Sequence, residues 1–201
     1  RYSDPIVTDK TLALVISQSG ETIDTLAAMR EAKRLGARVL AICNVVGSTI
    51  AREADDVIYT WAGPEIAVAT TKAYSTQLAV TYLLGLKFAE LLGTISDADY
   101  AAIIREMLTI PSKIEEILAH KEDIQHYAAL YFNHESVFFI GRNLDYAVSL
   151  EGSLKLKEIC YIHSEAYAAG ELKHGTISLV EDGTLVVALA SCDALFEKLM
   201  S

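Results

Sequence analysis

The sequence predicts an α/β protein with two domains, each a parallel sheet flanked by helices in three layers, joined by a helical connector. Apolar runs typical of buried parallel strands alternate with stretches of helix-forming residues, as where Leu12–Ile16 precedes the helical pattern Thr22–Leu35. The same alternation returns near residue 134, after a long segment with a helical pattern throughout. The expected boundaries are 1–95 for the first domain, 96–133 for the connector and 134–201 for the second domain.

Strand and helix signals follow one another along the first domain. Gly36 is expected to end the first helix in the left-handed conformation, and Gly93 to end the last one. Between them we expect a strand at Val39–Cys43, a short helix near Ser48–Glu53, a strand at Val57–Tyr59 and a long helix at Thr71–Leu92. This order indicates βαβ units with parallel strands.

The connector is expected to be helical from Asp97 to about Phe132. We expect an interruption near Pro111, because proline lacks the amide donor that a helix interior uses. The second domain is then predicted to contain a strand at Val137–Arg142, a helix at Leu144–Cys160 and a later strand in the apolar run Leu185–Ala190.

The two domains differ in a way that predicts truncation of the chain. In the first domain an apolar run is followed by Ser17–Thr22, and in the second domain an apolar run is followed by Ser191–Ala194. The segment Ser191–Ala194 contains no glycine. A strand and a helix precede this position in the second domain, whereas only eleven residues precede Leu12. The chain also stops within a helical pattern at Ala194–Met200. We therefore expect it to be truncated at both ends.

Composition limits the possible partners and compartments. Hydrophobic residues make up 52% and charged residues 22%, as in ordinary soluble α/β proteins. The formal net charge of -10 argues against nucleic acid or an anionic membrane as main partner. Cys43, Cys160 and Cys192 are widely spaced, which suits structural thiols in a reducing compartment. We expect a cytoplasmic protein without a membrane span or a metal site.

The segment Ser17–Thr22 is the first candidate site. It joins an apolar strand to a helix, where the first helical N–H groups lack partners and attract anions. Three hydroxyls, Gln18 and the flexible Gly20 would complete a phosphate cradle. The alternative is that Ser19 or Thr22 simply caps the helix. A single cap does not explain all of these residues, so we favour anion binding.

Three charged residues share one face of the predicted helix at Leu144–Cys160. At about 100° per residue, Glu151, Lys155 and Glu158 lie within an arc of about 60°. One interpretation is an exposed ladder of ion pairs, each worth roughly 0.2–0.5 kcal/mol. The same stripe begins with apolar residues, which favours a face that points into a cleft. There a partly desolvated Glu158 beside Lys155 could act as a general base.

His174 and Thr70 lie in predicted loops. Gly170 and Gly175 bracket His174 in a tight turn, which can bring an imidazole to a site as an acid or a base. The other four histidines have no motif around them, so His174 is the catalytic candidate among the five. Thr70, in the loop Gly63–Lys72, either caps the long helix or contacts a sugar hydroxyl.

These segments together resemble the isomerase part of the glutamine:fructose-6-phosphate aminotransferases (glucosamine-6-phosphate synthases), which is built of two sugar-isomerase (SIS) domains. The resemblance covers nearly the whole chain. The matching blocks are Ser17–Thr22, Gly63–Lys72, Thr76–Gln77, Pro111–Ile114, Glu151–Glu158 and Tyr161–Gly175. The family more often has Ala-Ser-Thr where this sequence has Ala69-Thr70-Thr71, a change that keeps the hydroxyl group.

The resemblance implies a role for each candidate residue. It makes Glu158 the base that moves a proton between the first two sugar carbons, Lys155 its proton-transfer partner, and Glu151 a residue that helps organise the site. His174 would open the sugar ring from the neighbouring subunit, which implies a homodimer. The implied ligands of the sugar phosphate are Ser17, Gln18, Ser19 and Thr22, with Thr70 on the sugar chain.

The resemblance also implies the reaction of the parent enzyme. It would convert fructose 6-phosphate and glutamine to glucosamine 6-phosphate and glutamate, the first step of amino-sugar synthesis, without a metal or another cofactor. The family uses an N-terminal glutaminase domain with a cysteine nucleophile and a lysine in a C-terminal tail. We expect neither in this sequence, so the fragment alone should be incomplete.

Two alternatives share the phosphate loop with this interpretation. One is a non-catalytic SIS module that senses a phosphosugar. The other is a related deglycase or isomerase that uses no glutamine. Both retain the loop at Ser17–Thr22, but a sensor has no need for Glu158, Lys155 and His174 together.

Overall fold

The computed structural model describes residues 4–191 and residue 196. The chain divides into two compact units, Arg1–Met107 and Leu108–Ser201. The residues Cys192–Ala194, which were compared with the first loop, lie outside the described residues. Apart from Phe196, so does the expected helix at Ala194–Met200.

A parallel sheet forms the centre of the first unit. Its strands are β1 (Leu12–Ser17), β2 (Arg38–Cys43) and β3 (Asp56–Tyr59), in the order β1-β2-β3. Ser17 pairs with Cys43 and Cys43 with Tyr59, so the three strands end at one edge of the sheet. The expected strands are confirmed to within one residue at each end.

The helices of the first unit lie where the sequence predicts them. They are α1 (Ile23–Arg34), α2 (Thr49–Glu53) and α3 (Thr71–Leu91). Gly36 and Gly93 follow α1 and α3 with φ of 95° and 63°, the left-handed conformation expected at the ends of these helices.

The helices α1 and α2 cover one face of this sheet. Because side chains alternate along a strand, one face of the sheet carries the packed residues. The buried cluster consists of Val15, Val39, Ala41 and Cys43 from the strands with Leu26, Met29 and Ile50 from the helices. On the opposite face of β1, Leu12, Leu14 and Ile16 are 41–48% exposed.

The helices between Asp97 and Tyr131 depart from expectation at Pro111. Helix α4 (Asp97–Ala119) runs through this proline, and the break falls instead at His120, before α5 (Lys121–Tyr131). The predicted interruption near Pro111 is therefore wrong. Proline removes a single amide donor, and α4 continues on its remaining hydrogen bonds.

A second parallel sheet forms the centre of the second unit. Its strands are β4 (Ser136–Gly141), β5 (His163–Ala168) and β6 (Leu185–Ala188), in the order β5-β4-β6. Helix α6 (Leu144–Cys160) has the predicted bounds and packs against β4 and β5. Two short 3-10 turns, Leu172–His174 and Thr176–Leu179, separate β5 from β6.

Two features of the second sheet differ from the prediction. Strand β6 ends at Ala188 rather than Ala190. Strand β5 was not predicted, because its sequence His-Ser-Glu-Ala-Tyr-Ala lacks the apolar run by which the other strands were recognised. Both units nevertheless have the predicted α/β class, with parallel sheets flanked by helices.

Two cysteines are free thiols, and the described helices are too short or too polar to span a membrane. Cys43 is a buried free thiol and Cys160 an exposed one, whereas Cys192 lies outside the described residues. Within the part of the chain that the structure describes, no helix combines the length and the apolar character needed to cross a membrane.

Candidate functional site

The loop between β1 and α1 is folded around its own hydroxyl groups. The Gly20 amide donates to Ser17 Oγ at 3.0 Å, and Ser17 Oγ lies 3.2 Å from Thr22 Oγ1. The Glu21 amide donates to Ser19 Oγ at 3.2 Å. Gly20 has a φ of 66°, which non-glycine residues rarely adopt. The predicted phosphate ligands Ser17, Ser19 and Thr22 therefore belong to one tight turn.

The hydroxyl groups of this loop do not cap α1. Thr22 occupies the N-cap position, and its side chain accepts no capping hydrogen bond among the described residues. The helix does carry an acidic residue, Asp24, in its first turn. The capping alternative thus loses its main support, and anion binding at this helix N-terminus stays a prediction.

The floor of the loop is built by residues that follow β2. The Asn44 amide donates to the Gln18 carbonyl at 3.1 Å, and the Ile50 amide donates to the Gly20 carbonyl at 2.9 Å. Ser48 lies directly beneath Gly20 and is 3% exposed, so a Cβ at residue 20 would overlap its hydroxyl. Sequence reasoning missed Ser48, because nothing in the sequence shows which residue lies below Gly20.

Cys43 lies beside this floor, 3.6 Å from the position that a Cβ at residue 20 would occupy. Burial raises the pKa of its thiol, and the nearby Ser48 hydroxyl offsets part of that shift. A thiol with a raised pKa remains protonated at neutral pH and packs as a small apolar group. Cys43 thus supports the loop without adding charge to it.

Thr70 lies at the start of α3 in an unusual backbone conformation. Its φ of 46° and ψ of 54° are left-handed, which is uncommon for a β-branched residue. Its side chain makes no capping hydrogen bond within the described ranges, so capping does not explain it. Asn44 secures the beginning of this segment through the Thr60 hydroxyl, the Ala62 amide and the Gly63 carbonyl. Thr70 is half-buried, and its hydroxyl remains a candidate sugar contact.

On α6 the structure brings the three charged residues together. Lys155 Nζ donates to the Glu158 carboxylate and lies 3.7 Å from Glu151 Oε1. The side chains of Lys155 and Glu151 are only 20% and 24% exposed, and that of Glu158 is 39% exposed. Lys155 and Glu151 are thus partly covered, whereas Glu158 is exposed, and a cleft around Glu158 stays a prediction.

The buried face of α6 holds it against the sheet through small residues. Ser149 and Ser153 are 0% and 2% exposed, and Gly152 leaves room for the ring of Phe139 on β4. Ser164 of β5, 1% exposed, donates from its Oγ to the Ser153 carbonyl at 2.8 Å and lies 3.0 Å from Ser153 Oγ. Contacts on this face fix the rotation of α6, and with it the direction of the charged face opposite.

His174 lies at the end of the turn Leu172–His174 and is exposed. Gly175 follows it with a φ of 136°, as the flanking glycines suggested. No side-chain hydrogen bond or ion pair among the described residues joins His174 to Glu151, Lys155 or Glu158. The turn presents the imidazole to solvent, where a second molecule could reach it.

Ser191 is the one residue of the degenerate motif within the described ranges, and it bonds to helix α6. There the Asp145 carboxylate, in the first turn of α6, accepts hydrogen bonds from the Ser191 amide at 2.9 Å and from Ser191 Oγ at 2.5 Å. Asp145 is 7% exposed. Its buried negative charge takes the donors of Ser191 and would repel a phosphate there.

No group of three or more potential metal ligands lies within the described parts of either unit.

Comparison with known proteins matches the chain to one protein family. A family model described as SIS domain matches residues 1–87 and 130–201. The chain is 60% identical over 201 residues to the glutamine--fructose-6-phosphate aminotransferase [isomerizing] of Clostridium acetobutylicum and 62% identical to that of Caldanaerobacter subterraneus subsp. tengcongensis. In both cases the match covers all of this chain and 33% of the relative, so the chain spans about a third of their length.

A solved structure agrees with these relatives. The C-terminal domain of the glucosamine-fructose-6-phosphate aminotransferase from Francisella tularensis superimposes with a TM-score of 0.94 at 40% sequence identity. The superposition covers 98% of this chain and 56% of that one. Since the family model accounts for most of the sequence and the fold agrees with it, the chain belongs to the SIS domain family.

Proposed function

We propose that this chain is the sugar-isomerising part of a glutamine:fructose-6-phosphate aminotransferase. The enzyme would convert fructose 6-phosphate and glutamine to glucosamine 6-phosphate and glutamate. The observation that carries the proposal is identity of 60–62% over all 201 residues with proteins of that name. The hydroxyl-rich loop and the charged cluster on α6 support it, since a sugar-phosphate isomerase needs an anion site and a proton-transfer group.

The loop at Ser17–Thr22 would hold the phosphate group of the sugar. The positive end of the α1 dipole and its first amides attract the anion, and the hydroxyls of Ser17, Ser19 and Thr22 with the amide of Gln18 complete the shell. Ser17 and Thr22 would then exchange their mutual contact for hydrogen bonds to phosphate oxygens. Thr70 would contact the sugar chain.

The cluster on α6 would carry the proton transfer. Isomerisation moves a hydrogen between the first two sugar carbons, which requires a base above the carbon chain and donors at both oxygens. Glu158 would be that base, and Lys155, which already donates to it, would exchange protons with the adjacent sugar oxygens. Glu151 would hold the Lys155 ammonium in place from the other side.

His174 would open the sugar ring in the site of a neighbouring subunit. Its exposed position on a short turn between glycines supports a role in trans and thus a homodimer. We also propose a cytoplasmic parent enzyme with a glutaminase domain preceding this part. Within this part we assign two three-layer SIS domains, residues 1–95 and 134–201, and a helical connector at 96–133.

The rival function is a module that senses a phosphosugar without converting it. Such a module would need the loop but not a carboxylate with an ammonium group beside it, so the α6 cluster favours the enzyme. A glutamine-independent deglycase or isomerase would share both features, and the names of the relatives favour the aminotransferase over it.

A binding experiment on the full-length parent enzyme tests the proposal. Titration calorimetry should show fructose 6-phosphate binding, and Ser19→Ala should weaken it by about 1–3 kcal/mol, the range for a hydrogen bond to a charged group. Ser112→Ala is the matched control, because Ser112 is exposed and its hydroxyl donates to the Thr109 carbonyl of the same helix. Unchanged affinity in Ser19→Ala would remove the loop from the phosphate site, and absence of binding to the unaltered enzyme would refute the proposed function.

A further inference from the structure

The phosphate loop is fastened at its tip to the beginning of helix α2. The Glu21 carboxylate accepts a hydrogen bond of 2.6 Å from the Thr49 amide, 28 residues further along the chain. The adjacent Gly20 carbonyl accepts from the Ile50 amide at 2.9 Å. Two successive residues of the loop therefore take two successive amides at the start of α2.

The helix start does not use its own cap residue. Ser48 occupies the N-cap position of α2, yet it makes no side-chain capping hydrogen bond among the described residues. Its hydroxyl lies instead beneath Gly20. Glu21 thus supplies from a distance the acceptor that an N-cap side chain normally provides. This capping also holds the loop against the start of α2.

The surroundings of Glu21 favour the ionised form of its carboxylate. The hydrogen bond from the Thr49 backbone lowers the pKa of Glu21, and the positive charge of Arg52 acts in the same direction. Glu21 therefore keeps a negative charge next to a loop that is proposed to bind a dianion. By charge alone, this residue should repel the phosphate and weaken its binding.

From this conflict we infer that Glu21 is a positioning residue of the phosphate loop, which ties Gly20 and Glu21 to α2 so that Ser17, Ser19 and Thr22 keep their binding geometry. The inference rests on the proposed function, because that function gives the loop its ligand. Without the Glu21 carboxylate, the Thr49 amide has no acceptor in the loop, and of the two bonds described between loop and α2 the one from Ile50 to Gly20 remains, so the turn is held less firmly. The energy lost in ordering the turn would then appear as weaker phosphate binding.

The opposite signs of the two effects make the experiment decisive. In the full-length parent enzyme, Glu21→Ala should weaken fructose 6-phosphate binding about 2- to 30-fold, the range for losing a helix cap. Glu21→Gln keeps a weaker acceptor, so its affinity for fructose 6-phosphate should lie between that of Glu21→Ala and that of the unaltered enzyme. Turnover should show the loss in KM rather than in kcat. If charge repulsion dominates, both substitutions would tighten binding instead.

Glu31→Gln is the matched control, because it removes the same charge from α1, the helix that follows the loop, where Glu31 pairs with Arg34 at the surface. Its affinity should equal that of the unaltered enzyme. Amide hydrogen exchange at Thr49 and Ile50, measured by mass spectrometry, gives a second readout that needs no ligand. Glu21→Ala must accelerate it, whereas Glu31→Gln must not.

Each result decides something different. Unchanged or tighter binding in Glu21→Ala, or unchanged amide exchange, would overturn the positioning role. If the unaltered enzyme binds no fructose 6-phosphate, the proposed function fails, and the same titration with inorganic phosphate and the exchange data then decide the positioning role. Weaker binding together with faster exchange, both absent in Glu31→Gln, would support it.

Discussion

Replacing Gly20 by alanine should damage the phosphate loop through two separable effects. The first is backbone strain, because Gly20 has a φ of 66°, where an L-residue with a Cβ pays about 1–2 kcal/mol. The second is a steric overlap, because the new Cβ would meet Ser48 Oγ and lie 2.5 Å from Ser48 Cβ. Rotation of the hydroxyl does not relieve the second contact, since Cβ is attached to the backbone at the start of α2.

The overlap should break the neighbouring backbone contact as well. Ile50 donates to the Gly20 carbonyl at 2.9 Å, and moving residue 20 away from Ser48 stretches this bond. A lost hydrogen bond adds about 1 kcal/mol, so the total is about 2–3 kcal/mol. Affinity for fructose 6-phosphate in the full-length parent should therefore fall about 30- to 150-fold in Gly20→Ala, as measured by titration calorimetry.

A second substitution separates strain from overlap. Ser48→Gly removes both atoms that the new Cβ would meet, so Gly20→Ala/Ser48→Gly should recover affinity to a loss of about 5- to 30-fold, the strain alone. Ser48→Gly by itself should bind almost normally, because Ser48 makes no capping hydrogen bond in the described structure. Normal affinity in Gly20→Ala would refute the reasoning, and no recovery in the double variant would refute the role assigned to Ser48.

Two further predictions concern the supports of the two sheets. Ser164→Ala should destabilise the contact between α6 and β5 by about 1–3 kcal/mol, because it leaves the buried Ser153 hydroxyl unpaired. The double variant Ser153→Ala/Ser164→Ala should lose less stability than the two single variants added together. Hydrogen exchange of peptides from α6 and β5 measures these values, and strict additivity would contradict the account. Asp55 accepts hydrogen bonds from Lys33 and from the Val39 amide, and these bonds lower its pKa. Its contribution to the free energy of unfolding should therefore be complete above about pH 5 and disappear as the pH falls through the lowered pKa. Asp55→Asn should then lower the urea midpoint of unfolding more at pH 6 than at pH 3, and an equal difference at both pH values would contradict this assignment.

Most of the α/β framework could be predicted because its signals are local. Apolar runs mark β1 and β2, and glycines in the left-handed conformation mark the ends of α1 and α3. Strand β5 escaped prediction because half of its residues are polar and its buried Ser164 packs against a serine of α6. Such a contact depends on the partner surface, which a sequence pattern does not contain.

The candidate site shows the same division between local and distant causes. Sequence spacing placed Glu151, Lys155 and Glu158 on one face of α6, and the structure confirms that they are in contact. The supports of the phosphate loop could not be predicted, because Ser48 and Thr49 follow Gly20 and Glu21 by 28 residues and meet them only through the pairing of β1 with β2. The roles assigned to the site residues stay predictions until they are measured.

The most direct test of the proposed function separates sugar binding from chemistry at Glu158. In the full-length parent enzyme, Glu158→Gln should reduce formation of glucosamine 6-phosphate by about 10²–10⁴-fold, the contribution of a general base, while fructose 6-phosphate affinity stays within about threefold. Glu122→Gln on the exposed surface of α5 removes the same charge and should leave both quantities unchanged. Normal turnover in Glu158→Gln, or a loss of binding as large as the loss of turnover, would contradict the assignment of Glu158 as the base.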